Sequence, residues 1–347
     1  MTILETLIEL VDTPSVTGDE DRLCSWIEAR YATRYRTQRV GNSVIVGHPI
    51  DGGSFVALYG HTDTVPVQGD PKASTAGDRL VGLGSSDMKS GLAVMMELLD
   101  NGVRESTGGL VGVFYDAEEG PAANNGLEAV LDAAPWLTGA DISIVLEPTD
   151  LNLELGCNGA LNADVIFKGS TAHSARPWLG ENAITKAGKW LATMHDREPD
   201  TIDIDGLEYR EVFSVTKAAG GIANNIIPGE FIVNLNHRFP PVYSIEDAEA
   251  RLLEVASGAD DVVIRDRAPA GKIDLDHPGV QRLDALIGGK RLAKQGWTDV
   301  ARLTERGAVA VNYGPGEVAQ AHQVDESVPI ANLQTAYDVL EEFLTQD

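Results

Sequence analysis

Apolar and polar positions divide the chain into short continuous apolar runs separated by segments of helical periodicity. Ser54-Phe55-Val56-Ala57-Leu58-Tyr59, Gly109 to Tyr115 and Ile142 to Leu146 are runs of strand length, rich in β-branched and aromatic residues, and Gly52-Gly53 precede the first. Such runs predict buried strands of an α/β sheet. Shorter strands are expected around Gln38 to Val40 and Ser43 to Val46. Leu92-Ala93-Val94-Met95-Met96-Glu97-Leu98-Leu99 predicts a helix apolar on most sides, packed against that sheet. The chain opens on a helix with a Thr2/Glu5 capping-box pattern and apolar Leu4, Leu7, Ile8 and Val11, and it closes on a helix through Leu333, Tyr337, Leu340 and Phe343. Alternation of strand and helix predicts a sheet at least partly parallel and covered on both faces.

Near residue 160 the pattern changes. Leu161 to Phe167 alternates polar Asn162 and Asp164 with apolar partners. A helix from about Asn182 to His195, strands at Phe213 to Lys217 and Phe231 to Arg238, a helix at Ile245 to Ala256 and a strand at Val262 to Arg265 follow. That β-α-β-β-α-β order predicts a ferredoxin-like unit. The expected organisation is therefore a discontinuous α/β domain, residues 1–159 and 271–347, interrupted by an α+β domain at 160–270. A length of 347 residues suits two domains.

Composition narrows the partners. Lys plus Arg number 27 against 53 Asp plus Glu, a formal charge of -26, which repels phosphate backbones and anionic bilayers. Neither nucleic acid nor a membrane is expected as a partner. The N-terminal segment has no basic n-region and already carries acids, and no apolar stretch approaches the ~20 residues that span a bilayer. A cytoplasmic location is expected. Cys24 and Cys157 have no second Cys or His at zinc-finger spacing and read as buried small hydrophobes.

The candidate chemistry gathers where the apolar runs end. His61 and Asp63 follow the first run; in open α/β sheets the loops at the carboxyl ends of strands face a common crevice. Residues two apart on an extended segment point the same way, so Asp63 can orient a metal-bound His61. Asp87 lies in a Gly-rich loop before the apolar helix, Glu118-Glu119-Gly120 follows the second run, Glu147-Pro148 the third, and His322 sits in Ala321-His322-Gln323-Val324-Asp325-Glu326. Each has an ordinary alternative: an Asp before a helix caps it, paired Glu are commonly solvated, and Glu-Pro commonly closes a strand. Together they are two His and several carboxylates at one edge of one sheet, a donor set that suits two zinc ions sharing a carboxylate.

The motifs Gly-His-Thr-Asp-Thr-Val-Pro, Gly-X-Gly-X-X-Asp-Met-Lys-X-Gly, Glu-Glu-Gly and Glu-Pro resemble those of the di-zinc amidohydrolases that include aminoacylases and glutamate carboxypeptidases, and the resemblance covers nearly the whole chain. It implies an aminopeptidase-like catalytic domain with an inserted lid and dimerisation domain, and hydrolysis of an amide to a carboxylate and an amine. It implies that Asp87 bridges two Zn2+ ions, with Co2+ or Mn2+ as substitutes, that His61 and Glu147 bind one and that Glu119 and His322 bind the other. Asp63 would orient His61 and Glu118 would be the general base.

The inserted domain carries Thr171-Ala172-His173-Ser174-Ala175-Arg176-Pro177, Asn224-Asn225-Ile226-Ile227-Pro228 and Asn236-His237-Arg238-Phe239. The resemblance implies that His173 stabilises the oxyanion from the partner subunit of a homodimer and that Asn224 and Arg238 hold a substrate carboxylate. With Arg176 and Arg302 they would clamp a small N-acyl amino acid with carboxylates at both ends, since planar guanidinium suits bidentate recognition. The stretches from His173 to Ile184 and Gly221 to Pro228, and from Gly296 to Arg302 with Tyr313 to Gly316, point within the family to N-succinyl-LL-2,6-diaminopimelate. N-acetylornithine or another N-acyl amino acid is the alternative substrate, an aminopeptidase or dipeptidase is a third outcome, and a non-catalytic binding protein on the same fold is the reading from another class.

Overall fold

The computed structural model describes residues 1–50, 53–68, 72–104 and 109–345; of the Gly52-Gly53 pair before the first apolar run, Gly52 lies outside them. The chain divides into two compact units, Met1–Gly156 with Lys272–Leu292 and Thr298–Asp347, and Cys157–Gly271 with Ala293–Trp297.

The first unit is built on a sheet of eight strands in the order Thr37–Val40, Ser43–Val46, Leu110–Tyr115, Val56–His61, Ile142–Val145, Ala310–Asn312, Leu153–Leu155 and Arg291–Ala293. The apolar runs form its centre. Leu110–Tyr115, Val56–His61, Ile142–Val145 and Ala310–Asn312 run parallel, every residue of these strands is buried, and antiparallel strands flank them. Register pairs His61 with Tyr115 and Tyr59 with Val145, so the residues that follow each strand emerge at one edge. The helix Lys89–Asp100 buries ten of its twelve residues, because it lies over the sheet and under the helices Ile3–Asp12 and Ile330–Thr345. The Thr2/Glu5 capping box forms, and Leu333, Tyr337, Leu340 and Phe343 are buried. Cys24 and Cys157 are buried thiols. Among the described residues no helix is long and apolar enough to cross a membrane.

The second unit is a five-stranded antiparallel sheet in the order Asp200–Ile204, Leu207–Gly220, Glu230–Phe239, Gly159–Lys168 and Asp261–Ala268. The helices Ala183–Lys186, Gly188–His195 and Ile245–Val255 accompany it, and Leu161, Val165, Trp190, Val233, Leu235, Phe239 and Leu252 share its core. Without the first strand this is the ferredoxin-like arrangement. Two features differ from the expectation. Asp200–Ile204 is an added edge strand, and Ala293–Trp297, expected in the other domain, belongs here: Asn158 donates its N–H to the Lys294 carbonyl at 3.1 Å, and the Trp297 indole donates to the Pro269 carbonyl at 3.1 Å.

Candidate metal centre and its supports

The site begins with the strand Val56–His61, whose last residue turns its ring into the crevice. His61 is 1% exposed; its Nε2 lies 3.2 Å from Oδ1 of Asp87, and its Nδ1 lies 3.0 Å from the Asp63 carbonyl and 3.5 Å from Asp63 Oδ1. Asp63 therefore orients the ring chiefly through its main chain. Its carboxylate is turned elsewhere: it accepts the N–H groups of Glu118 and Glu119, each at 3.0 Å, and the Thr17 hydroxyl at 2.9 Å.

Asp87 is presented by the turn Gly82 to Met88, immediately before the helix Lys89–Asp100. That helix approaches the end of the neighbouring strand through Gly91, where a Cβ would sit 2.4 Å from the Leu146 carbonyl oxygen, so no side chain fits beside the strand that delivers Glu147. Glu118 and Glu119 follow Ala117, held at φ 57°, and His322 itself adopts φ 62°. Both angles lie in the left-handed region that ordinary residues avoid, where strained residues at functional sites are commonly found. His322 Nε2 is 3.0 Å from Glu119 Oε1 and 3.7 Å from Asp87 Oδ2.

The ligating atoms of His61, Asp87 and Glu147 lie within 4.8 Å of one another, and so do those of Asp87, Glu119 and His322. Asp87 belongs to both groups and turns Oδ1 towards His61 and Oδ2 towards His322. One carboxylate facing two nitrogen-containing triads is the geometry of a bridge between two cations, and nitrogen and oxygen donors of this kind suit zinc and its neighbours in the first transition row. Ligating atoms of His61, Glu118 and Glu119 also lie within 4.8 Å of one another, so Glu118 stands at the edge of the same cluster.

The electrostatics show the strain of this grouping. Burial drives the Glu118 carboxyl well above the usual carboxylate range, His61 draws it back, and the charges of Glu147, Asp299 and Glu119 raise it further. Burial opposes protonation of His61, but Asp63 and Asp87 overcome it and raise its pKa well above the ordinary value. The hydrogen bond to Glu119 raises His322 to about 9. Cations at this point would replace those protons and neutralise the carboxylates.

The remaining expected residues distribute as follows. His173, Arg176 and Asn224 are exposed on the second unit; His173 Nδ1 accepts the Ala175 N–H at 3.0 Å, and the short strands Ala172–His173 and Ile226–Ile227 pair, bringing the two loops together. Arg238, next to last in the strand Glu230–Phe239, is half-buried, with Nε donating to Asn236 Oδ1 at 3.2 Å. Arg302, expected as a substrate clamp, is corrected. It is 8% exposed, donates to Glu128 Oε1 at 2.7 Å and to the Ala122 carbonyl at 2.8 Å, and has Asp299 Oδ1 2.9 Å from its Nε. Its guanidinium is committed to a buried network, because the helix Val300–Glu305 packs that face inward. Glu326, which no sequence motif marks, also belongs to the site: its carboxylate receives three backbone N–H groups of the Asp87 turn.

Residues 57–346 match the model of peptidase family M20/M25/M40. The chain belongs to that family. It is 40% identical over 345 residues, 98% of this chain and 97% of the relative, to a Mycobacterium tuberculosis H37Rv protein provisionally named succinyl-diaminopimelate desuccinylase DapE. It is 32% identical over 348 residues, 97% of this chain and 94% of the relative, to a Corynebacterium glutamicum protein named succinyl-diaminopimelate desuccinylase. Among solved structures, the aminopeptidase PepT of Bacillus cereus shares the fold with a TM-score of 0.80 at 20% identity, covering 99% of this chain and 97% of that one. The YXEP protein of Bacillus subtilis, described as a dinuclear metal-binding peptidase of the M20 family, has a TM-score of 0.72 at 16% identity over 99% and 96%. Family membership makes the chain a metal-dependent amidohydrolase.

Proposed function

We propose that this M20 enzyme hydrolyses N-succinyl-LL-2,6-diaminopimelate to succinate and LL-2,6-diaminopimelate with two zinc ions. The observation that carries the reading is the shared Asp87, with one oxygen towards His61 and the other towards His322; the names of the two relatives support the choice of acyl group. His61, Asp87 and Glu147 would hold one ion, and Asp87, Glu119 and His322 the other. When bound, the ions polarise the amide carbonyl and lower the pKa of a water molecule towards ~7.

The protein's own residues do the rest. Glu118 takes the proton of the attacking water as its oxygen joins the amide carbon. It returns that proton to the nitrogen as the C–N bond breaks, so one carboxylate serves as base and then acid. Burial raises its pKa, which favours uptake of the proton that the water must give up. Asp63 holds the Glu118 and Glu119 amides. Arg176, Asn224 and Arg238 are the proposed contacts for the substrate's carboxylates, and local guanidinium charge is what an anion needs near a protein of net charge -26. His173 is the proposed oxyanion donor, supplied by a second copy of the chain through the Cys157–Gly271 unit, which would serve as lid and dimer interface.

The test is amide hydrolysis of N-succinyl-LL-2,6-diaminopimelate against N-acetylornithine, with zinc supplied and with zinc withdrawn by a chelator. Zinc-dependent turnover of the succinyl substrate supports the reading. Preference for acetylornithine keeps the metal centre and overturns the substrate assignment, and metal binding without turnover of any acyl amino acid overturns the reading as an enzyme of this reaction.

A further inference from the structure

Asp87 must offer its two carboxylate oxygens in opposite directions, yet it sits on a short turn before a helix, where main-chain freedom would ordinarily blur both. The turn from Gly82 to Asp87 is fastened by one residue. Glu326, 2% exposed, accepts the Ser86 and Asp87 N–H groups on Oε1 and the Gly84 N–H on Oε2, each at 2.8 Å, and its main-chain carbonyl accepts the Gly82 N–H at 2.9 Å. Four donors from six consecutive residues thus converge on a single glutamate. The next residue, Ser327, begins a strand paired in register with Arg79–Val81, the strand that leads into the turn. Lys89, buried at the other end of the turn, donates its ammonium to the Leu10 and Thr13 carbonyls at 2.9 and 3.0 Å, and its charge acts on Glu326.

We propose that Glu326 is a positioning residue that fixes the bridging carboxylate of Asp87, so that its replacement loosens both metal sites together although it ligates neither. A buried carboxylate is expensive to keep without a purpose, and this one spends both oxygens on backbone N–H groups of the Asp87 turn. In its ionised form it only accepts, which is what the turn requires: two oxygens with several lone pairs can receive three inward-pointing N–H groups, whereas a glutamine amide would set its own N–H2 against at least one of them. Residues that hold a ligand commonly govern metal affinity as strongly as the ligand does. The inference rests on the two-metal reading, in which Asp87 serves both ions.

The experiment is titration of Co2+ alone into metal-free wild-type, Glu326→Gln and Glu326→Ala proteins, following the visible absorption of the bound ion and heat of binding, with the unfolding midpoint of each metal-free protein measured alongside. The expected result is a loss of affinity for both ions of roughly ten-fold for Gln and on the order of 100-fold for Ala, with an altered cobalt spectrum at saturation. Wild-type affinity and spectrum in either variant, whatever its midpoint, would assign Glu326 to stability only and overturn the proposal. If Glu326→Ala does not fold, Glu326→Gln decides alone. A wild-type protein that takes up no pair of ions would sink the two-metal reading instead, a result distinguishable from failure of the Glu326 assignment.

Discussion

Asp63 Oδ1 accepts the backbone N–H of Glu118 at 3.0 Å, and its Oδ2 accepts that of Glu119 at the same distance. One buried carboxylate therefore holds the proposed base and a proposed ligand by their main chains while its own main chain orients His61. Replacing Asp63 should cost more than the loss of one histidine orientation. Asp63→Ala is expected to weaken metal binding 10- to 100-fold and also to lower turnover at saturating metal, because Glu118 loses its anchor. Full recovery of the rate by excess zinc would show that the carboxylate matters only through affinity.

Glu118 is close enough to the cluster to be mistaken for a ligand, and substitution separates the roles. Glu118→Gln keeps the size and hydrogen-bonding shape of the side chain but cannot carry the proton. It should retain two ions by elemental analysis and lose on the order of 10²- to 10⁴-fold in kcat, the usual worth of general acid–base catalysis. Loss of one ion with the rate would make it a ligand.

Arg302 gives the opposite kind of prediction. Its guanidinium is held by Glu128, Asp299 and the Ala122 carbonyl, so Arg302→Ala strips the fully buried Asp299 of this cationic partner and leaves it facing the neutral Asn125 amide and Tyr115 hydroxyl. Removing one partner of a buried pair typically costs about 3–5 kcal/mol. The expected outcome is a large drop in the denaturation midpoint with KM little changed in whatever protein remains folded. A selective rise in KM with unchanged stability would restore Arg302 as a substrate clamp.

The contrast between Asp87 and Arg302 shows what the chain discloses by itself. Ligands are legible because strand runs announce where they end: His61, Glu118, Glu119 and Glu147 all lie within four residues of the end of a strand whose register is set by buried apolar residues. An arginine in a helix carries no such marker, since its long side chain reaches solvent or a buried acid with equal ease, and Glu128 is 174 residues away. Glu326 was equally silent, because its partners are backbone amides brought near by a fold rather than by spacing. The added strand Asp200–Ile204 was missed because it buries no face. Its hairpin turn was nevertheless written in the sequence: Asp205-Gly206, at φ 53° and 86°, is the Asp-Gly pair that a two-residue turn with positive φ at both positions prefers.

Removing the ions should destabilise the first unit specifically. Without them Asp87, Glu118, Glu119 and Glu147 share a few ångströms, a crowding that raises the pKa of His61 and His322. Chelation should abolish turnover and lower the thermal midpoint, and zinc at 100 times its Kd should restore about 2.7 kcal/mol by mass action. Scanning calorimetry with and without chelator measures this, and an unchanged midpoint would mean that no ion is held in the folded state.

The second unit has a pH dependence of its own. Glu211 is buried beneath the sheet, with His237 Nε2 at 2.8 Å and the Arg251 guanidinium on both oxygens. Burial pushes its carboxyl up, but the hydrogen bonds from His237 and Arg251 outweigh that and hold it at about 2 against an ordinary 4.5. A carboxylate with a depressed folded-state pKa stabilises the fold above its unfolded value and loses that contribution as pH falls towards the folded value. Here the window runs from 4.5 down to about 2, and the shift is worth about 3 kcal/mol. Burial also lowers the pKa of His237 below 6.5, which erodes stability in the same direction as acid is added. Hydrogen exchange of the strand Leu207–Gly220 as a function of pH would follow this unit by itself. Protection should fall steeply below pH 4.5 in the wild-type chain. Glu211→Gln should start about 3 kcal/mol lower at neutral pH and lose the steep acid limb, because a neutral amide has no proton to gain; an acid limb as steep as the wild-type one would place the titrating group elsewhere.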